Sequence, residues 1–278
     1  MIYLIRYSEI ALKGKNRKDF ENRLIRNIGA FLKAKGLKAK ISCLQGRLLL
    51  ETEKEINLKP VFGISSYSPC SVIKAELKAM LSEALKLAQT HPQTTRFKVN
   101  ARRSTKSFPL SSLELNNKIG AFIVEKTGFK VDLENPDLEL GIEIIGEEAF
   151  VFEKTIACFG GLPVGVEGKV MVLAENNRSI LAALLMMKRG CGIEVAGFSE
   201  QNLSVLQVFS SSELVLHKIK EASELYELAN KFGCKAVVVN ETLQNLKDHS
   251  INMLILRPLI AFSDKEINSE LEKYKSFF

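Results

Sequence analysis

Between Gly160 and Gly168 the chain changes its hydropathic pattern, and that change limits the available folds more than any other feature. Up to this point strands and helices are mixed. Beyond it, short apolar runs alternate with helical periods: Lys169–Leu173, Ser179–Lys188, Gly192–Phe198, Glu213–Phe232 and Ala236–Val239. The first, third and last read as strands and the other two as helices. Strands alternating with helices suggest a parallel α/β sheet. The run Gly160-Gly-Leu-Pro-Val-Gly165, followed by Gly168, reads as a linker, because glycine and proline punctuate regular structure. A boundary is therefore expected near Gly165. A length of 278 residues agrees with more than one domain, since single cores stop growing near this size.

The front part predicts two small α+β units. Ile2–Arg6 reads as a strand, and Asn16–Lys35 as a helix with Phe20, Leu24, Ile28 and Phe31/Leu32 on one face. Lys38–Cys43 and Arg47–Glu51 look like strands joined across Leu44-Gln-Gly46, followed by a helix or turn through Ile56–Phe62 and an extended Ile64–Ser68. Lys74–Ala88 repeats the helical spacing, and His91–Thr95 breaks it before a strand at Arg96–Ala101. A helix over about Ser112–Lys126 ends at Gly128, and strands follow near Asp137–Ile145 and Ala149–Cys158.

Charge divides along the same line. Met1 to Leu110 holds 22 Lys and Arg against 8 Asp and Glu, a net of +14, whereas the remaining 168 residues sum to −7. A basic front joined to an acidic back points to a polyanion held at the front, with nucleic acid ahead of an anionic membrane surface. No apolar run approaches the ~20 residues that span a bilayer, and Met1–Arg6 does not have the charge order of a signal peptide. The five cysteines (Cys43, Cys70, Cys158, Cys191, Cys234) form no Cys-x-x-Cys pair, and the three histidines stand far apart. Free thiols, a reducing, cytoplasmic setting and no metal site are the expectation.

Three segments are candidates for chemistry. Lys13, Lys15, Arg17 and Lys18 gather at the start of the first long helix, where unpaired N–H groups and the dipole favour phosphate. A solvated charged face is the competing reading. Lys98, Arg102, Arg103, Lys106 and Phe108 form the second group. Lys98 and Arg102 are read there in different registers of a strand that opens into a loop carrying Arg103, Lys106 and Phe108. Guanidinium groups pair with phosphates and an aromatic ring can stack on an unpaired base, although an aromatic before proline is more often a packing residue. The third is the turn Ala174-Glu175-Asn176-Asn177-Arg178-Ser179, where an α/β nucleotide domain would carry a glycine-rich phosphate loop. Asn176 and Asn177 can make the turn, and Arg178 and Ser179 are the remaining candidate phosphate ligands. Glu175 repels an anion, and no glycine lets the backbone approach.

Taken together, these segments resemble the tRNA 4-thiouridine synthetase (tRNA sulfurtransferase) family. The similarity begins with Arg6-Tyr7-Ser8-Glu9-Ile10-Ala11-Leu12-Lys13-Gly14-Lys15-Asn16-Arg17. It continues through Phe97–Pro109, Val131–Asp137, Gly160–Gly165, Leu184–Gly190 and Arg257-Pro258-Leu259-Ile260. The resemblance implies a multidomain α/β and α+β fold: a ferredoxin-like domain (1–70), a THUMP domain (71–165) and a reduced PP-loop parallel α/β domain (166–278). It further implies that the first two domains grip tRNA, with the THUMP domain taking the 3′-CCA end, and that the third activates a uridine with ATP. On this basis Lys98, Arg102, Arg103, Lys106 and Phe108 are the expected tRNA contacts.

The departures fall in the third domain. The family's Ser-Gly-Gly-x-Asp-Ser loop aligns with Ala174–Ser179, where only Ser179 survives and Arg178 takes the carboxylate position. Val237–Leu246 is similar to a shortened Thr-Gly-Glu-Ser-Leu-Gly-Gln block without its glycines, and no cysteine matches a sulfur-handling position. The leading expectation is a tRNA-binding protein without the thiolation chemistry, with no catalytic residue and no cofactor. The alternatives are a divergent sulfurtransferase using ATP and Mg, with sulfur delivered by a carrier, and a scaffold that binds an active paralogue without RNA. A homodimer is an expectation from the resemblance alone.

Overall fold

The computed structural model describes residues 1–104, 108–249 and 252–275. In chain order its elements are β1 (Ile2–Arg6), α1 (Arg17–Ala34), β2 (Ala39–Leu44), β3 (Arg47–Thr52), β4 (Ser66–Pro69), β5 (Ser71–Lys74), α2 (Leu77–Ala88) and β6 (Arg96–Arg103). Next come α3 (Ser112–Thr127), β7 (Lys130–Val131), β8 (Leu138–Ile145), β9 (Glu148–Phe152) and β10 (Ile156–Ala157). The remainder is β11 (Lys169–Leu173), α4 (Asn177–Lys188), β12 (Gly192–Gly197), α5 (Ser204–Phe209), β13 (Leu216–Lys218), α6 (Ala222–Lys231), β14 (Cys234–Val238), β15 (Ile255–Leu256) and α7 (Asp264–Lys275). Among the described residues no helix is long and apolar enough to cross a membrane.

These elements pack as two compact units, neither of them one continuous stretch. The first holds residues 1–7, 37–56 and 66–157; the second holds 8–36, 57–65 and 158–278. Two sheets build the first unit. One is antiparallel throughout, in the order β10-β4-β1-β3-β2. The other has the order β5-β9-β8-β6-β7, with β6 parallel to both β8 and β7. Phe97 and Ala101 of β6, Leu140 and Ile142 of β8 and Ala149 and Val151 of β9 bury one face of this sheet with Met80 and Ala84 of α2 and Leu115, Ile119 and Ile123 of α3. Local chemistry sets the ends of α3. Ser111 accepts from the Glu114 N–H while the Glu114 carboxylate accepts from the Ser111 N–H, and Gly128 closes the helix at φ 73°.

The second unit contains the parallel sheet β13-β12-β11-β14-β15. Its central strands β11, β12 and β14 carry buried residues on both faces, as the continuous apolar runs predict. The stretch Glu213–Phe232 is not one helix: it divides into β13 and α6, because Leu216–Lys218 pairs with β12. α5 is a further helix that the pattern did not suggest. Nor is the glycine-rich run a free linker. Leu162 and Val164 are buried, the Leu162 N–H donates to the Lys188 carbonyl at 2.9 Å, and Asn27 Nδ2 donates to the Val164 carbonyl at 3.1 Å.

Residues 57–65 join this unit by backbone pairing with 158–160, through Cys158 N–H to Ser65 O, Gly160 N–H to Ile64 O and Gly63 N–H to Gly160 O. The pairing delivers Phe62 to an aromatic cluster with Phe159, Phe209 and Tyr274. The Tyr274 ring stacks on Phe159 at 4.5 Å, yet its hydroxyl is buried with no hydrogen-bond partner among the described residues, and burial pushes its pKa to about 12. A buried donor without a partner costs about 1–3 kcal/mol. Tyr274→Phe is therefore expected to leave stability unchanged or raise it, read as the melting temperature; a loss above about 1 kcal/mol would reveal a partner for the hydroxyl.

Candidate nucleic-acid interface

The two basic groups expected to bind RNA lie in different units. Lys13, Lys15, Arg17 and Lys18 belong to the second: Lys13 joins two 3-10 turns, Lys15 lies in the latter of them, and Arg17 and Lys18 open α1. Lys13 stands 4.6 Å above the Phe20 ring and 3.4 Å from Glu167, and Arg17 pairs with Glu21 at 2.8 Å. Lys15 and Lys18 are exposed.

In the first unit, β6 runs unbroken to Arg103, so Lys98, Asn100 and Arg102 project from one face of the strand. This corrects the expectation that Lys98 and Arg102 occupy different registers. Lys98 pairs with Glu139 of β8 at 3.1 Å, and Arg102 is exposed. Arg103 Nη1 donates to the Phe108 carbonyl at 2.8 Å, and the Phe108 ring is partly buried against the α2/α3 core. Its packing matches the alternative weighed for an aromatic before proline. Lys106 lies outside the described residues.

The face carrying Lys98 and Arg102 also holds a set of polar residues that the sequence did not single out. Arg6 Nε donates to Glu143 Oε1 and Arg47 Nε to Glu143 Oε2 at 2.9 Å, while Arg6 Nη1 donates to Ser68 Oγ at 3.0 Å. Glu143 is 5% exposed and Arg6 8%, so the carboxylate ties β1 and β3 of one sheet to β8 of the other inside the first unit. Arg6 lies 4.7 Å over the Phe152 ring. The only sequence signal for this group was a glutamate inside the otherwise apolar stretch Leu140–Ile145.

The second unit holds Asn176, Asn177, Arg178 and Ser179. The strand order reverses direction at β11, with β12 on one side and β14 on the other, which is where open α/β sheets bind ligands. Here three N–H groups of the turn after β11 are bonded within it. Ser179 Oγ accepts from the Glu175 N–H at 3.0 Å, Asn176 Oδ1 accepts from the Arg178 N–H at 2.9 Å, and the Ser179 N–H donates to the Asn176 carbonyl at 3.0 Å. Asn240, from the loop after β14, donates to Ser179 Oγ at 3.0 Å and to Asn176 Oδ1 at 3.2 Å. Arg178 reaches Asp264 at 2.8 Å.

Beside this turn, Glu241 is buried and accepts from Arg257 Nε at 2.8 Å, with His249 Nε2 on its other oxygen. Burial pushes its pKa up from 4.5, but the hydrogen bonds from Arg257 and His249 outweigh that and hold it below the ordinary value. A carboxyl whose pKa is lower folded than unfolded contributes its stability in full above the ordinary value and loses it as pH falls through the folded one. Urea unfolding between pH 7 and pH 3 is expected to reveal an acid-side loss that Glu241→Gln reduces; an unchanged pH profile would remove the assignment.

A family model described as the ThiI ferredoxin-like domain matches residues 2–68, and a THUMP domain model matches residues 73–152. A probable tRNA sulfurtransferase of Methanocaldococcus jannaschii is 32% identical, covering 96% of this chain and 86% of the relative. That alignment runs over 327 positions against 278 residues here, so the relative has segments with no counterpart in this chain. A probable tRNA sulfurtransferase of Thermococcus kodakarensis is also 32% identical, covering 99% of this chain and 88% of its own length. Among solved structures, a 4-thiouridine synthetase–RNA complex with bound ATP is similar with a TM-score of 0.80 and 27% identity, covering 99% of this chain and 85% of that one.

Proposed function

The chain belongs to the tRNA sulfurtransferase family, and from that premise we propose that it grips tRNA, 3′-CCA end included, without carrying out the family's thiolation. The ferredoxin-like and THUMP portions supply the grip, with Arg102 and the exposed Lys15 and Lys18 as phosphate contacts. A relative solved as an RNA complex supports tRNA as the partner.

One observation carries the loss of chemistry. A phosphate cradle needs several backbone N–H groups turned outward. In the turn after β11, the N–H groups of Glu175, Arg178 and Ser179 all donate inward instead. Opening the turn for a triphosphate would break those bonds and bring the anion against Glu175. The second reading, a divergent sulfurtransferase using ATP and Mg, is favoured by similarity that continues through the third domain.

Titration separates the two. The expected result is no ATP binding at micromolar concentration, and tRNA binding whose logarithmic affinity falls linearly with the logarithm of salt concentration. Arg102→Ala is expected to lower affinity and reduce that slope by about 0.7–0.9. Release of AMP or pyrophosphate from ATP in the presence of tRNA would establish the second reading. Affinity that is absent at low salt would end both.

A further inference from the structure

Four of the eleven large apolar side chains that are exposed among the described residues, Leu113, Val124, Val131 and Leu133, line one groove of about 580 Å³ in the first unit. Single exposed apolar residues are ordinary, whereas a contiguous set marks an interaction site. On one side the groove is lined by Leu113, Asn117, Gly120 and Val124, which recur at helical spacing along α3. The sheet contributes Val131 of β7, Leu133 just beyond it, and β6 from Phe97 to Val99.

That edge of β6 is open. β8 pairs with β6 from Phe97 to Arg103, but β7, on the other side, reaches only Arg96 and Phe97. The Phe97 carbonyl accepts from the Asp132 N–H at 2.9 Å, and the Ala101 N–H donates to Asn116 Oδ1 at 2.7 Å. Strand alternation turns the Val99 N–H and carbonyl to the same side, midway between these two bonds. Among the described residues no strand pairs with Val99 there. An unpaired strand edge is a template for another extended chain.

Gly120 points the same way. It lies inside α3, where glycine lowers helix stability relative to alanine. Packing does not require it, since an added Cβ would meet Val99 Cγ2 at 4.0 Å, an ordinary contact. A longer side chain would fill the groove beside Val99. The glycine thus keeps clear the space through which another backbone can reach that edge.

Charge selects the class of occupant. Both charged lining residues are paired, Lys98 with Glu139 at 3.1 Å and Glu125 with Lys126 at 2.9 Å. Such a lining gives a phosphate backbone no counterion to replace. We propose that the groove binds an extended, uncharged, apolar segment of a partner protein. The segment pairs with the Val99 backbone as an added strand in line with β7, and its alternate side chains rest on Leu113, Val124 and Leu133. This interaction goes beyond tRNA binding and does not depend on it.

The test titrates the full chain with a dye-labelled, capped heptapeptide that alternates threonine with valine or leucine, read by fluorescence polarisation. Two N-methylated isomers carry their methyl groups on alternate amides, so each blocks one edge of the extended peptide. The parent peptide should bind, one isomer should bind at least about tenfold more weakly, and the other should bind like the parent. Hydrogen exchange at the Val99 amide should slow about tenfold in the complex. Gly120→Gln should weaken the parent peptide at least about tenfold, with the melting temperature unchanged or raised and tRNA affinity unchanged. No binding of the parent peptide at about 1 mM overturns the proposal, as does equal binding of all three peptides. A Gly120→Gln variant that loses tRNA affinity instead would assign the groove to RNA and overturn it too. The peptide comparison uses the unmodified protein, so it decides the matter whatever the variant does.

Discussion

An alanine at Gly161 is expected to unfold the second unit or lower its stability by more than about 4 kcal/mol. Gly161 has φ +77°, and an added Cβ would stand 2.3 Å from the Lys188 carbonyl oxygen and 2.7 Å from Lys188 Cγ. The first of these is a backbone atom, so no rotamer change relieves it. The adjacent Leu162 N–H is bonded to that same carbonyl, so separating the two segments breaks a buried hydrogen bond as well. Gly160 is the internal control. It has φ +67° but nothing within 4 Å of its added Cβ, so Gly160→Ala should cost only the left-handed strain, about 1–2 kcal/mol. Denaturant unfolding of both variants measures the difference. Equal losses would mean that the contact with Lys188 is not held in solution.

Glu143→Gln is expected to destabilise the first unit by about 3–5 kcal/mol, because it removes the carboxylate that faces a buried guanidinium. The glutamine keeps the volume, so the loss reports charge rather than packing. Arg6 is 8% exposed and has little water to compensate it, whereas Arg47 keeps 27% of its side chain exposed and can be solvated. Arg47→Ala should accordingly cost less than Glu143→Gln, about 1 kcal/mol. A Glu143→Gln variant as stable as the unmodified protein would show that the ion cluster contributes no net stability.

These two predictions also mark what could be read from the chain. The strands β11 and β12 and the helices α1 to α4 were legible because apolar spacing is a local property. So was the end of α3 at Gly128, where a left-handed residue is required. The strands β5, β7 and β13 were not, since runs of two to four residues carry no period and exist only through their partners, and β10 was not separated from β9 in the expected strand Ala149–Cys158. Within the candidate site, Arg102 and Lys98 were recognisable as cations near a strand end. That they share a face depended on β6 continuing through Arg103, beyond the point where its apolar alternation stops. Asn176–Ser179 could be read as lacking glycine, but the sequence did not reveal which N–H groups the turn consumes.

By itself, then, the sequence determined the order and type of the long elements, the division between a basic front and an acidic back, and the family resemblance carried by its motifs. All three depend on neighbours along the chain or on simple sums of charge. The tertiary structure alone decided that Glu143 joins Arg6 and Arg47, that the Gly160–Gly165 run is packed against α4, and that the turn after β11 is closed by Asn240. Each depends on contacts between residues far apart in the chain, which no local pattern encodes. A carboxylate becomes a counterion, a linker becomes a core segment and a loop becomes a closed crevice only when the fold brings the partner within about 3 Å.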